Sequence, residues 1–187
     1  VTLPPTVARE APFRRRSAYH AVLMFDALLN ANTSYSDGFT LRDIAPVAAK
    51  GFALVTCMDS RIEPLTMLGL HPGDAKILRN AGARVTPDVI RSLVLATRFL
   101  DVREIAVMQH TDCALAHETD VGVRNRLADL GTVDVEDREF LAMPDPDLAL
   151  TDDVALLRDC PQLPAEVVVE GWRYDVQTGL IHRIVTS

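Results

Sequence analysis

Five residues in two short stretches carry the chemistry this sequence can offer. Cys57, Asp59 and Arg61 stand in "FALVTCMDSR" at 52–61, and His110 and Cys113 stand in "HTDC" at 110–113. Two donors three residues apart can reach one ion from a single tight turn. Cys57 adds a third donor if its strand lies beside theirs. Two thiolates and one imidazole make a good zinc set, with Zn–S near ~2.3 Å and Zn–N near ~2.0 Å. No fourth Cys or His stands at matching spacing. Three protein ligands with an open position is the catalytic pattern, whereas four is the structural one. Singly, each residue has a plainer reading. Cys57 alone is an inert buried thiol, His110 alone a satisfied core histidine, and Asp59 with Arg61 a local ion pair. Their joint occurrence at two strand ends is what points to a metal.

The elements that must position them follow from the apolar pattern. Residues 52–56 form a continuous apolar run, as in a strand buried on both faces. "HPGD" at 71–74 reads as a turn and "AKILR" at 75–79 as a second strand. "TPDVIRSLVLATRFL" opens with Thr86 as N-cap, Pro87 at the first helical position and Asp88 at the positive end of the dipole. "EIAVMQH" at 104–110 is a third buried strand, and a helix is expected around 119–130. The acidic, Pro-containing stretch 131–166 reads as loops with one short helix near 152–158. "EVVVEGWRYDV", "QTG" and "LIHRIV" read as strand, tight turn and antiparallel closing strand. Before all of these, Ala18, Ala21, Val22, Phe25, Leu28 and Leu29 recur at helical spacing over 17–29, with Ser17 as a cap.

Strand–helix–strand alternation implies an α/β fold with a mostly parallel central sheet, order 2-1-3-4 plus an antiparallel closing strand, flanked by helices. Ligands in such sheets gather at the carboxyl ends of the strands where the order reverses. Cys57 and His110 each end a strand, and the order 2-1-3 makes those strands neighbours about 4.8 Å apart.

Composition bounds the rest. With 187 residues, 48% of them apolar, the chain suits one sizeable domain, expected over 17–187 after a Pro-rich extended arm over 1–16. The formal net charge of −7 argues against nucleic acid or an anionic membrane as partner. Arg14, Arg15 and Arg16 form the only basic run and read as a solvated segment. No stretch approaches the roughly 18 apolar residues of a membrane span, and the N-terminal residues lack an apolar signal core, so a cytoplasmic location is expected. An odd count of three cysteines, Cys57, Cys113 and Cys160, does not suggest a disulfide framework.

"CMDSR" followed by "HTDC" resembles the paired signature of the β-class carbonic anhydrases, Cys-x-Asp-x-Arg and His-x-x-Cys. "LGLHPGDAKILRNAGARVTPDVIRSL" resembles that family's middle segment, including its Arg-Asn-Ala-Gly loop at Arg79–Gly82, and "YDVQTGLI" resembles its last hairpin. The likeness covers about 17–115 and 167–185 and is greatest to the compact branch. It implies that Cys57, His110 and Cys113 bind zinc, that Asp59 and Arg61 form the catalytic dyad, and that the chain is a carbonate dehydratase, a zinc lyase interconverting CO2 and bicarbonate. Zinc lowers the pKa of bound water and so generates hydroxide near neutrality. Asp59 can then accept the hydroxide's hydrogen bond, and Arg61 can fork onto Asp59, keeping it ionised and off the metal. In the resembling family the first helix packs on a partner subunit, which implies a homodimer or higher even oligomer.

Two departures from the family pattern stand out. Ala114 replaces the Gly that usually follows the second Cys ligand, and its Cβ either crowds that turn or requires a different backbone angle. Leu54 replaces the aromatic residue of the allosteric subset, so a complete regulatory bicarbonate site is not expected. His117, four residues after Cys113, would share its face on a helix and reads as a surface or capping residue. Asp112 is open to a contact behind the ligands or to solvent exposure, while Cys160 reads as structural and Trp172 as core. Two other functions use the same motif: hydrolysis of carbonyl sulfide or carbon disulfide, and a non-catalytic zinc protein in which Asp59 permanently fills the fourth position.

Overall fold

The computed structural model describes residues 18–187. The expected arm over 1–16, the Arg14–Arg16 run and the Ser17 cap lie outside them. The chain falls into two units, one ending at Asp43 and one running Ile44–Ser187.

The first unit holds α1, Ala18–Asp37. This helix runs eight residues past the apolar periodicity that ends at Leu29. The extension is polar, but its hydroxyls turn back onto the helix: Thr33 Oγ1 donates to the Leu29 carbonyl (3.1 Å) and Ser36 Oγ to the Thr33 carbonyl (2.7 Å). Such back-bonding lets Ser and Thr persist in a helix that apolar spacing alone does not mark.

The second unit is built on a five-stranded sheet of order β2-β1-β3-β4-β5. Its strands are β1 (Phe52–Cys57), β2 (Ala75–Asn80), β3 (Glu104–His110), β4 (Val168–Tyr174) and β5 (Ile181–Val185). β2, β1, β3 and β4 pair parallel, and β5 closes antiparallel on β4. The expected order and directions therefore hold. The helices are α2 (Pro64–Met67), α3 (Pro87–Phe99), α4 (Asp120–Asp129) and α5 (Pro146–Arg158). Thr86 caps α3 by accepting from Val89 N, and Thr119 caps α4 by accepting from Gly122 N.

α5 is longer than the short helix expected near 152–158. Pro146 occupies its first turn, where the missing N–H does no harm. Asp145 caps it, accepting from the backbone N–H of Asp147 (3.0 Å) and Leu148 (3.1 Å). A proline read as a loop residue is thus a helix start. The four-residue α2 is too short to leave a periodicity.

Two apolar layers flank the sheet. On one face Val89, Leu93 and Ala96 of α3 and Leu150, Val154 and Leu157 of α5 pack on Ala53, Val55, Ile105, Val107 and Val169. On the other, Leu54, Ala106 and Met108 join Cys57, Ile62, Ala83, Cys113 and Met143. Trp172, expected in the core, is half-buried there. It stacks on Phe52 (ring centroids 5.8 Å apart) and donates Nε1–H to Glu170 Oε2 (2.9 Å).

One buried ion pair ties the segment after β2 to α5. Arg84 Nε donates to Asp153 Oδ2 (2.6 Å), and the side chains are 13% and 5% exposed. Arg84 Nη1 also donates to the Leu141 carbonyl (2.7 Å). Removing one member of such a pair strands the other charge in the interior, which costs about 3–5 kcal/mol. Arg84→Ala should therefore lower the unfolding free energy by about that amount in urea melts; a loss under about 1 kcal/mol would mean the pair is effectively solvated.

Candidate metal centre

The sheet register brings the donors together. The last β1–β3 pair is Thr56↔Met108. Cys57 follows one of these residues and His110 lies two past the other, at the carboxyl edge of adjacent strands. Behind His110 the chain turns tightly, and the turn is held by the closing hairpin: Thr111 N donates to the Tyr174 carbonyl (2.9 Å) and Val176 N to Thr111 Oγ1 (3.1 Å). That turn delivers Cys113. The ligand atoms of Cys57, His110 and Cys113 all lie within 4.8 Å of one another, and all three residues are buried.

The donors suit a metal ion. His110 Nδ1 lies 2.8 Å from the Thr111 carbonyl, an acceptor that calls for the proton on Nδ1 and leaves Nε2 as the lone-pair nitrogen. Nε2 is buried and has no hydrogen-bond partner. A buried lone-pair nitrogen beside two thiols has the donor chemistry of a metal-ligand set. The thiols are not independent. The Cys113 S–H beside Cys57 draws the Cys57 thiol well below the ordinary range, against the opposing effect of burial, and His110 and the backbone N–H groups of Asp59 and Gly82 act in the same direction. The proton shared with Cys57, followed by burial, pushes Cys113 up. Burial would lower His110, but the neighbouring Cys57 sulfur and its charge outweigh it, so its net shift is upward. A divalent cation would replace these shared protons.

Asp59 and Arg61 stand at the rim. Arg61 Nε donates to Asp59 Oδ1 (3.0 Å) and Nη2 to Oδ2 (2.7 Å), and the Arg61 backbone N–H adds a third bond to Oδ1 (2.9 Å). These side-chain bonds, then the backbone bond, hold the Asp59 carboxyl well below the usual carboxylate range, and Asp59 in turn raises Arg61. Asp59 Oδ2 is 3.9 Å from His110 Nε2, so the carboxylate borders the donor set while the guanidinium holds it.

Arg79 has a place here that spacing did not reveal. Its Nε donates to the Cys57 carbonyl (3.0 Å) and its Nη2 to the Asp59 carbonyl (2.7 Å). The signal was a charged residue ending the strand beside β1, followed by Asn-Ala-Gly. Asn80 closes that loop: its side chain accepts from Arg84 N (2.9 Å) and donates to the Arg84 carbonyl (2.7 Å). Gly82 has φ 74°, and a Cβ there would lie 3.3 Å from both Leu115 Cδ1 and Met143 Cε. A side chain at this position would be strained by the backbone and would press on two neighbouring side chains.

The remaining expectations fall out unevenly. Ala114 is exposed and is not among the residues with positive φ, whereas Asp112 and His117 are. Ala114 is thus accommodated on an exposed turn without a left-handed backbone. No helix carries Cys113 and His117 together; the helix starts only at Asp120. His117 is exposed in a turn, its N–H donating to the Met143 carbonyl (2.7 Å). The cause is a short parallel bridge between Ala116 and Met143, which seats the 131–145 segment beside the site. Asp120 reinforces it by accepting from Phe140 N and Ala142 N. Cys160 is partly exposed and free, away from the donor set.

Comparison with known proteins agrees with this geometry. Residues 52–133 match the family model described as carbonic anhydrase. The chain is 32% identical to beta-carbonic anhydrase 1 of Mycobacterium tuberculosis over 160 residues, which span 85% of this chain and 96% of that one. It is 33% identical over 154 residues to a carbon disulfide hydrolase of an Acidianus species, covering 70% of this chain and 74% of the other. Among solved structures, a carbonic anhydrase from Streptococcus mutans superposes with a TM-score of 0.78 at 40% identity, covering 86% of this chain and 96% of that one.

Proposed function

The chain belongs to the β-carbonic anhydrase family, and from that premise we propose that it binds one zinc ion through Cys57, His110 and Cys113 and catalyses the reversible hydration of CO2 to bicarbonate. The observation that carries this reading is the Arg61 fork on Asp59 beside a buried Cys-His-Cys donor set. A zinc ion held there supplies Lewis acidity that makes water a nucleophile near neutral pH. The protein's own groups do the rest. His110 is oriented by the Thr111 carbonyl. Arg79 fixes the backbone of Cys57 and Asp59 from the second strand. Asp59 Oδ2 accepts a hydrogen bond from the attacking water and turns a lone pair toward the substrate carbon. Arg61 keeps Asp59 ionised and holds it in that role.

A carboxylate so engaged is not free to serve as a standing fourth ligand, which weighs against a non-catalytic zinc protein. Hydrolysis of carbon disulfide or carbonyl sulfide stays as the second reading, favoured by the likeness to the Acidianus protein. The greater coverage of the carbonic anhydrases sets CO2 first. Initial rates on CO2, carbonyl sulfide and carbon disulfide from one zinc-loaded preparation separate them. CO2 hydration should dominate; turnover of carbon disulfide alone would reverse the assignment.

On this reading residues 17–187 act as one zinc domain after an arm over 1–16, in the cytoplasm. Among the described residues no helix is long and apolar enough to cross a membrane. The working form is a dimer or higher even oligomer. α1 leaves Met24, Phe25, Leu28 and Leu29 exposed. Separately, in the second unit, Phe52, Ile77, Trp172, Tyr174 and Ile181 are only half-buried around the apolar cluster that contains the two Cys ligands. Apolar surface of this kind marks an interface. Light scattering at micromolar concentration should give an even multiple of the chain mass; a fully active monomer would contradict this.

A further inference from the structure

The Arg61 guanidinium uses two edges. One, Nε with Nη2, lies on Asp59 at 3.0 and 2.7 Å. The other reaches back to the turn between the second and third ligands. There Nη1 donates to Asp112 Oδ2 (2.7 Å), and Nη2 also donates to the Asp112 carbonyl (3.1 Å). Asp112 has φ 57°, a left-handed conformation in which Asp is enriched among non-glycine residues. With that backbone its carbonyl and its carboxylate both face the same guanidinium. Among the described residues the Asp112 carboxylate bonds to nothing in its own turn, so this contact does not serve to close the turn.

The two side chains are 41% and 73% exposed, and an ion pair that open contributes little to stability. What the contact supplies is direction. A guanidinium held on one edge can pivot and carry its carboxylate with it, whereas one held on both edges cannot. Asp59 Oδ2 is already only 3.9 Å from His110 Nε2, so a modest pivot brings it among the donors. We propose that Asp112 is a positioning residue: by anchoring the outer edge of Arg61 to the His110–Cys113 turn, it keeps the Asp59 carboxylate from swinging into the space shared by Cys57, His110 and Cys113. The inference rests on the ligand set and dyad proposed above.

The test loads the protein with cobalt(II) in place of zinc and titrates it with azide, which reads whether the fourth position is free. Asp112→Ala should weaken azide binding about two- to fivefold, the range of an exposed ion pair. Asp112→Asn, which keeps an acceptor and tolerates the left-handed backbone, should recover most of the loss. In an Arg61→Ala background, Asp112→Ala should have no further effect. A mutation that merely loosens the turn would act equally in both backgrounds, and that result, or no effect of Asp112→Ala at all, overturns the proposal. Should Arg61→Ala fail to take up cobalt, hydrogen exchange at Arg61 Nε–H in arginine-labelled protein decides instead. Exchange should quicken in Asp112→Ala and not in Asp112→Asn; an unchanged rate in Asp112→Ala overturns the proposal. A wrong ligand set shows differently, as wild-type protein without sulfur-to-cobalt absorption, and the exchange measurement still decides the role of Asp112.

Discussion

Cys113→Ala should purify without zinc and without activity, whereas the wild-type chain should hold about one zinc per subunit. The expectation follows from how the donors are assembled. Cys57 and His110 project from adjacent strand ends and remain near each other without help, whereas Cys113 arrives on a turn held by the β4–β5 hairpin. Two donors left behind make a weak bidentate site. Changes to groups that only orient a ligand already cost 10- to 100-fold in metal affinity, so losing a ligand should cost more than about 100-fold. Cys57→Ala and His110→Ala should behave likewise. The fold should also soften, because binding free energy of a metal is folding free energy, and both thiols sit in the apolar cluster with Leu54, Met108 and Met143. Elemental analysis after dialysis against a chelator is the check; full occupancy in Cys113→Ala would remove it from the ligand set.

Arg61→Ala should lower CO2 hydration on the order of 100-fold, the effect of misplacing an orienting group by about 1 Å, and should do so at every pH from about 6 to 9. Arg61 holds Asp59 well below the usual carboxylate range. A depressed carboxyl loses its charge only as pH falls through that lowered value, far below this window, so Asp59 is ionised throughout. The freed Asp59 of the variant, an ordinary carboxylate, is ionised there too. The variant should therefore shift toward a closed, Asp59-bound form and lose activity at every pH, most where hydroxide is scarcest and competes least with the freed carboxylate. The shape of the wild-type profile comes from elsewhere. Two thiolates cancel the formal charge of a divalent ion and leave a weaker Lewis acid than three imidazoles do, so activity should be low below neutrality and climb into the alkaline range. Asp59→Ala removes the group that could block the site but also the acceptor that aims the nucleophile, so it should not restore the rate. A flat wild-type profile, or Arg61→Ala as active as wild type, would show that this pair does not control the site.

Much of the sheet was legible because its signals are local and strong. The apolar run 52–56 reads as a buried strand, and Thr86-Pro87-Asp88 as a helix start; the strand runs Phe52–Cys57 and the helix opens at Pro87. From strand–helix alternation the order followed, and with it the meeting of Cys57 and His110. The stretch after Cys113 was less legible. Its structure rests on long-range pairing, Ala116 with Met143 and Arg84 with Asp153, which leaves no periodicity. Pro146 misled because proline ends helices and begins them with equal ease. Arg79 and Asp112 stood out in the sequence, one in the Arg-Asn-Ala-Gly loop and one between two candidate ligands, but their partners did not, because those contacts run to backbone carbonyls and through a left-handed turn.

The most direct test of the whole account is the initial rate of CO2 hydration, measured by stopped flow at about pH 8 to 9 on protein of known zinc content. The account predicts a rate far above buffer that scales with zinc bound and vanishes in Cys113→Ala. A chain carrying one zinc at Cys57, His110 and Cys113 that hydrates CO2 no faster than buffer would contradict it.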